Sequence, residues 1–448
     1  MNDESSIQIN EKLLKLISAR FGGGHVLIVT TNKTLRTNLK KVLTMFNFPL
    51  AQITVADTFA LARECLNSNQ PAIIISSFVI DEKNTAKDLL KLHRENYPDH
   101  IENLFITLTD RDASYMKSYR FEHGYDEVFK GQQSLQGYAN GLQALFIKKL
   151  QLGETDKLIY QVRSLIDDFQ IDKALEMLAS LDGKIESTQN LKLIALAYYR
   201  DNQFDKALHA YDLVLEADPL HYESLHNSIV MNCENKEYDK ASQSLKTFLE
   251  HYECVPENAV SFCKILNHCG HYNDSIELSL KFIEDDLLPK EDKTSLITIM
   301  QESAKEIMNE DPQRACEIIK DSVRLSGAKE YSVFNNAIDI FIKTSDYKEN
   351  AQDLFSKYFS NFSEEKDIDL LEYKAYYPAR AHAENFQKGM ELFNRKFHSH
   401  FLYYTLIITG IEIGRSKDAL EDIIFSAIKV FPDFKPNYEA LLMKIQDS

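Results

Sequence analysis

Cysteine is scarce in this 448-residue chain: there are six, at positions 65, 233, 254, 263, 269 and 316, and no two form a CxxC pair. That spread argues against a disulfide framework and fits reduced, mostly buried thiols. Long apolar runs are missing too. None approaches the roughly 20 residues that a membrane-spanning helix needs, so no membrane insertion is expected. The opening stretch, MNDESSIQINEKLLKLISAR, lacks a basic segment followed by an apolar one, so no signal peptide is expected. Residues 8–20 read instead as a short amphipathic helix, with Ile9, Leu13, Leu14 and Ile17 at helical spacing. A cytoplasmic location is the expectation. Positive charge is in deficit, with 51 Lys and Arg against 68 Asp and Glu. The first 150 residues hold 18 basic and 16 acidic side chains, and the rest hold 33 and 52. An acidic two-thirds repels polyanions, so nucleic acid and anionic membrane are not expected partners. No Ser-His-Asp set or phosphate-binding glycine loop emerges, and no paired carboxylates in a cleft. No enzymatic activity, cofactor or metal is expected. Gly22–Gly24 precedes a strand instead of following one, which makes it a linker and not a phosphate loop.

What is present divides in two, as the length requires of a chain too long for one core. Residues 1–23 read as an N-terminal helix and linker. Over 24–150, strands alternate with helices. HVLIVT (25–30), QITVA (52–56), AIIIS (72–76), NLFITLT (103–109) and the weaker YDEVF (125–129) are the strands, each followed by a helical pattern. Such alternation predicts an α/β domain, a doubly wound parallel sheet of the flavodoxin-like kind. A site would sit at the carboxyl ends of its strands.

The motifs at those ends resemble a response-regulator receiver domain across about 24–150. The resemblance implies a Mg²⁺-holding acidic pair after strand one, a phospho-accepting Asp ending strand three, a Ser or Thr ending strand four and a Lys ending strand five. VLIVTTNKTLR puts Thr30 and Thr31 where the acidic pair would stand. IIISS puts Ser77 at the acceptor position. ITLTD supplies Thr109, and EVFKG supplies Lys130 followed by Gly131 where Pro is usual. Asp57 follows strand two, on the wrong strand. Mg²⁺ needs carboxylate oxygens, and a serine without a base is a poor nucleophile. Three carboxylates are missing from one place, which predicts a pseudo-receiver that cannot take phosphate. The resemblance also implies self-association through residues 112–150. An enzyme built on Ser77 or Thr109 with Lys130 would need a base that the sequence does not supply.

Residues 151–448 carry an internal repeat. FQIDKALEML, NQFDKALHAY, KEYDKASQSL and GHYNDSIELS superimpose, with Ala174, Ala207, Ala241 and Ser275 at successive intervals of 33, 34 and 34. A 34-residue period without strands resembles the tetratricopeptide repeat. Small residues let paired helices approach while large ones fill grooves. The match is clear over about 155–287. Divergent copies continue over about 288–448, with Ala315, Ala351, Gly389 and Ala419 at the small position; Pro378 interrupts the least regular stretch. The whole predicts an all-α solenoid. The resemblance implies a groove lined by the first helix of each pair, including Lys192, Leu196, Tyr199, Arg200, His226, Val230, Lys264 and Asn267, suited to a peptide or helix of acidic character. Cys263, His268, Cys269 and His271 lack the spacing of a structural zinc site. Cys263 falls at a packing position and His271 in a turn; FHSHF (397–401) reads the same way.

These expectations combine into a non-enzymatic, bacterial-type two-component signalling adaptor that binds other proteins. The alternative is an assembly or secretion chaperone whose solenoid holds a protein client.

Overall fold

The computed structural model describes residues 11–21, 24–81, 84–99, 101–110, 113–285, 288–344 and 347–446. Ile9, Gly22, Gly23 and residue 112 lie outside them. The chain forms two compact units, Met1–Asn258 and Ala259–Ser448.

In the first unit, five strands make one parallel sheet in the order β2-β1-β3-β4-β5. They are β1 (His25–Val29), β2 (Ile53–Ala56), β3 (Pro71–Ser77), β4 (Leu104–Thr109) and β5 (Glu127–Lys130). The helices α1 (Glu11–Phe21), α2 (Lys33–Met45), α3 (Phe59–Asn69), α4 (Ala86–Asn96), α5 (Ala113–His123) and α6 (Leu135–Leu150) accompany them. Strand side chains alternate faces. Val26, Ile28, Ile73, Ile75, Leu104 and Ile106 join α1, α2 and α6 in one core. Leu27, Ile74 and Phe105 are buried on the other face. Two boundaries differ from the sequence reading. Helix α1 belongs to this core: Ile17 is fully buried, and the Phe21 ring lies 5.6 Å from that of Phe146. Strand β5 begins at Glu127 because Asp126 turns its carboxylate back onto the Phe105 N–H at 2.8 Å. Gly24 is a fitted position: a Cβ there would stand 2.6 Å from that of Ala72.

Antiparallel helix pairs follow. In the first unit they are α7 (Glu154–Asp167) with α8 (Ile171–Ser180), α9 (Ser187–Arg200) with α10 (Phe204–Ala217), and α11 (Tyr222–Glu234) with α12 (Tyr238–His251). The next helix, α13 (Pro256–His268), contains the division between the units, and α14 (Tyr272–Ile283) pairs with it. The second unit continues with α15 (Lys290–Glu306) and α16 (Pro312–Leu325), α17 (Tyr331–Lys343) and α18 (Lys348–Tyr358), α19 (Ile368–Tyr376) and α20 (His382–Asn394), α21 (His400–Glu412) and α22 (Lys417–Val430), and a final α23 (Lys435–Gln446). This is the run of antiparallel helix pairs that the repeat in the sequence predicts. Ala174, Ala207, Ala241, Ser275, Ala315 and Ala351 are all fully buried, as their packing role requires. The late periods stretch because α15 has 17 residues against 14 in α9. Helix α19 has only 9, with Pro378 just beyond its end, where a proline cannot continue a helix. Ala419 is exposed, contrary to the expected register. Leu420 takes the packing position at 2% exposure. The facing helix compensates with Gly410, where a Cβ would meet Leu420 at 2.5 Å. The size relation between the two helices is simply reversed.

A turn recurs within five pairs. Phe169, Asn202, Lys236, Gly270 and Gly414 all have positive φ. The next residue in each case donates its N–H five residues back, as from Gln203 to Tyr198 at 2.9 Å and from Glu237 to Asn232 at 2.8 Å. This is the Schellman ending that glycine favours. Lys236 holds φ 62° and is exposed. Lys236→Gly is therefore expected to stabilise the first unit by about 0.5–1 kcal/mol, the left-handed strain less the entropy glycine loses. A thermal melt that drops or stays put would refute it.

Candidate functional site

Parallel register brings the strand ends together. Val29 stands beside Ser76, Ser77 beside Leu108, and Thr109 beside Lys130. The Ser77 hydroxyl donates to Thr30 Oγ1 at 2.7 Å. Thr30 Oγ1 also accepts the Asn32 N–H at 3.3 Å, at the start of α2. Ser76 turns its own hydroxyl to the Ser77 carbonyl at 2.9 Å. Thr109 is buried at 6% exposure, while Lys130 is exposed. Thr31 faces solvent, and its carbonyl accepts from Arg36 Nη2 at 3.0 Å. The acids nearest in sequence have other work. Asp57 lies 4.0 Å from Arg36. Asp81 accepts the Phe59 and Asn84 N–H groups at 3.2 and 3.0 Å. Asp110 packs over Gly131, where a Cβ would meet its carboxylate at 2.8 Å, so the residue after Lys130 has no side chain. Among the described residues, no group of three His, Cys, Asp or Glu side chains is placed to hold a metal. The arrangement is a hydroxyl pair closed by its own hydrogen bond.

The other region of interest lies on the repeats of the first unit. Helix α5 of the α/β part rests on the first helices of the pairs. The Phe121 ring stacks on Tyr222 at 5.2 Å and 26°. Phe248 and Tyr252 flank the same tyrosine at 5.2 and 4.9 Å. The Glu122 side chain is 3% exposed and 3.9 Å from His226 Nε2. It accepts a hydrogen bond from the Tyr222 hydroxyl and another from Asn258 Nδ2, the latter at 3.0 Å. Asn258 also contacts His226 at 3.0 Å. Ser118 donates to the Glu253 carbonyl at 3.1 Å. Burial pushes the Glu122 carboxyl up; His226, Tyr222, Asn258 and Lys87 pull it part of the way back. Burial, then the Glu122 charge, pushes the Tyr222 phenol up, so it stays a donor.

The residues expected to line a groove have definite neighbours. Lys192 is largely buried and ion-paired with Glu223 across α9 and α11. Burial, then the like charge of Arg163, draws its ammonium down, and Glu223 works the other way. His226 belongs to the α5 contact. Leu196 packs into the core of the first pair. Tyr199 lies 5.8 Å from the Phe204 ring, and Arg200 3.8 Å from Asp167. Val230 is half-buried and Lys264 is exposed. Asn267, in the second unit, accepts from the Ser303 hydroxyl at 3.0 Å. Of the residues singled out in the sequence, Lys192 and His226 lie in this region; Phe121, Glu122, Tyr222 and Asn258 were not singled out. Glu122 and Asn258 are 136 residues apart, and neither sits in a motif. Of the stretch 112–150, expected as a self-association surface, the Ser118 and Glu122 side chains of α5 are buried within the chain, while Phe121 stays partly exposed.

Cys263 is fully buried against α14, where the Ser279 hydroxyl donates to its sulfur at 3.4 Å. Burial pushes its thiol up to about 12, the setting of a packing residue. His398 and His400 share hydrogen bonds with Tyr403 and Tyr438 at 2.9 and 2.8 Å.

No family profile matches this sequence. No curated protein matches it either. Among solved structures, a tetratricopeptide repeat protein from Parabacteroides merdae is similar at 14% identity, over 65% of this chain and 98% of that one, with a TM-score of 0.26. A superposition that loose carries no argument, and the repeat architecture rests on the helix pairs above.

Proposed function

We propose that the chain is a non-enzymatic adaptor, in which a receiver-like domain that does not take phosphate is joined to tetratricopeptide repeats that bind other proteins. The observation that carries the reading is the Ser77–Thr30 hydrogen bond, 2.7 Å long, at the strand ends. A phosphoryl-accepting site needs a carboxylate nucleophile and anionic oxygens to hold Mg²⁺. Here two hydroxyls satisfy each other, and the base that would activate a serine is missing from their hydrogen bonds. The β2-β1-β3-β4-β5 order supports receiver ancestry, being one of the two common doubly wound orders. The repeats support protein binding because stacked helix pairs present an extended surface, and theirs already holds a helix. No helix among the described residues is long and apolar enough to cross a membrane. The reading places the adaptor in the cytoplasm, in two-component signalling.

Incubation with Mg²⁺ and a small acyl phosphate tests this. Intact-mass measurement is expected to show no added phosphate on residues 24–150. A stoichiometric adduct there would overturn the reading.

A further inference from the structure

The contact between α5 and the repeats has the composition of a ligand in a receptor. Among the described residues it is chemically specific: an aromatic ring stacked on Tyr222, a carboxylate held by Tyr222 and Asn258 beside His226, and a hydroxyl on a main-chain carbonyl. The recognition residues come from the first helices α11 and α13, the side of a repeat pair that faces a bound peptide. Beside it a cleft of about 180 Å³ remains open, bounded by Phe121, Lys192, Leu220, Tyr222, Glu223 and Tyr252. The α5 side is attached to its own domain through Tyr119, whose ring lies 4.3 Å from that of Phe78, the residue after Ser77. The helix is thus held from both sides, and Phe121 and Glu122 carry the ring and the carboxylate of its contact with the repeats.

We propose that α5 is an internal ligand that closes this repeat face, and that the partner is a protein helix carrying an aromatic residue followed by Asp or Glu, which displaces it. The proposal rests on the adaptor reading and names the partner chemistry of the same surface. The carboxylate of the incoming helix replaces Glu122 between Tyr222 and Asn258, and its ring replaces Phe121. A hydrophobic helix without the acid leaves the Tyr222 hydroxyl and one Asn258 N–H without their carboxylate acceptor, which costs binding. A basic residue in place of the acid cannot accept from the Tyr222 hydroxyl and the Asn258 amide, and is rejected. While α5 is seated, an external helix binds with its affinity reduced by the fraction of open molecules.

The test uses the full chain and a helix-stapled, fluorescein-labelled peptide of residues 113–123, ASYMKSYRFEH. Two variants open the face: Glu122→Lys, which reverses the buried charge, and Phe121→Ala, the gentler change. Circular dichroism confirms that each is folded. Fluorescence anisotropy is expected to show the peptide binding both opened proteins at least about tenfold more tightly than the unaltered chain. Adding Asn258→Ala to either opened protein is expected to abolish binding, as is placing Lys at the acidic position of the peptide. Equal binding to the closed and opened proteins, or none to folded opened ones, would overturn the proposal. So would a dimer on release of α5, seen by light scattering, since a second copy would then be the occupant. These outcomes leave the phosphodonor assay untouched, and an acyl phosphate there would leave this face as described.

Discussion

Asp126→Ala is expected to lower the stability of the first unit by about 3–5 kcal/mol, the largest effect of any single change discussed. Asp126 sits between two buried cations. Lys149 Nζ lies 2.8 Å from one carboxylate oxygen, and Arg94 Nη2 lies 3.2 Å from the other. The side chains of Asp126, Lys149 and Arg94 are 6, 2 and 10% exposed. The Phe105 N–H adds a third donor at 2.8 Å. Burial alone would raise the Asp126 carboxyl; Lys149 and Arg94 outweigh it and hold it below the usual carboxylate range. Truncation leaves two cations in a dry site without a counter-charge. Lys149 also reaches over the Tyr160 ring at 4.4 Å, which ties the end of α6 to α7. The sign of the pH dependence follows. A lowered carboxyl contributes stability above its unfolded value, about 3.9, and that contribution is lost as pH falls through the folded value. Urea unfolding of the unaltered chain should therefore show this loss only in acid, while Asp126→Asn should be weakened at neutral pH already and lack that acid step. Replacing all three charges with apolar residues of similar size should restore much of the stability. A neutral-pH loss under about 1 kcal/mol for Asp126→Ala would mean that water reaches the pair.

Gln301→Leu should destabilise the second unit by about 3 kcal/mol. Gln301 is fully buried at the junction of three helices. Its Nε2 donates to the Ser322 hydroxyl of α16 at 2.6 Å and to the Val333 carbonyl of α17 at 3.0 Å. Its Oε1 accepts from Asn336 Nδ2, also of α17, at 2.7 Å. Leucine fills the volume but leaves the buried Ser322 oxygen and Val333 carbonyl without that donor and the half-buried Asn336 amide without its acceptor. A double change with Asn336→Leu should recover part of the loss, because the stranded donor goes with it. Chemical unfolding followed by circular dichroism reads both. Additive losses in the double variant would show that the two side chains do not act as a pair.

The α/β alternation was legible because a buried parallel strand announces itself as a short apolar run, and AIIIS and NLFITLT are such runs. The weaker YDEVF was misjudged at its start. Asp126 looks like a strand residue in sequence, yet it is a buried counter-ion, and Arg94 and Lys149, which make it one, are 32 and 23 positions away. The repeat was legible through its small residues, since steric demand at a helix crossing recurs with the period. It failed at Ala419, where the bulk had moved to Leu420 and the space to Gly410. Spacing alone cannot show such an exchange between facing helices. The strand-end residues were legible as hydroxyls closing apolar runs; that Ser77 and Thr30 bond to each other required the fold. The contact of α5 with Tyr222 and Asn258 had no signal at all.

Local chemistry and periodicity therefore determined the elements, their order and the hydroxyls at the strand ends. Burial and charge pairing were decided only in three dimensions. Glu122, Tyr222 and Asn258 are unremarkable in the chain, and only packing that brings α5 against α11 and α13 joins them by hydrogen bonds.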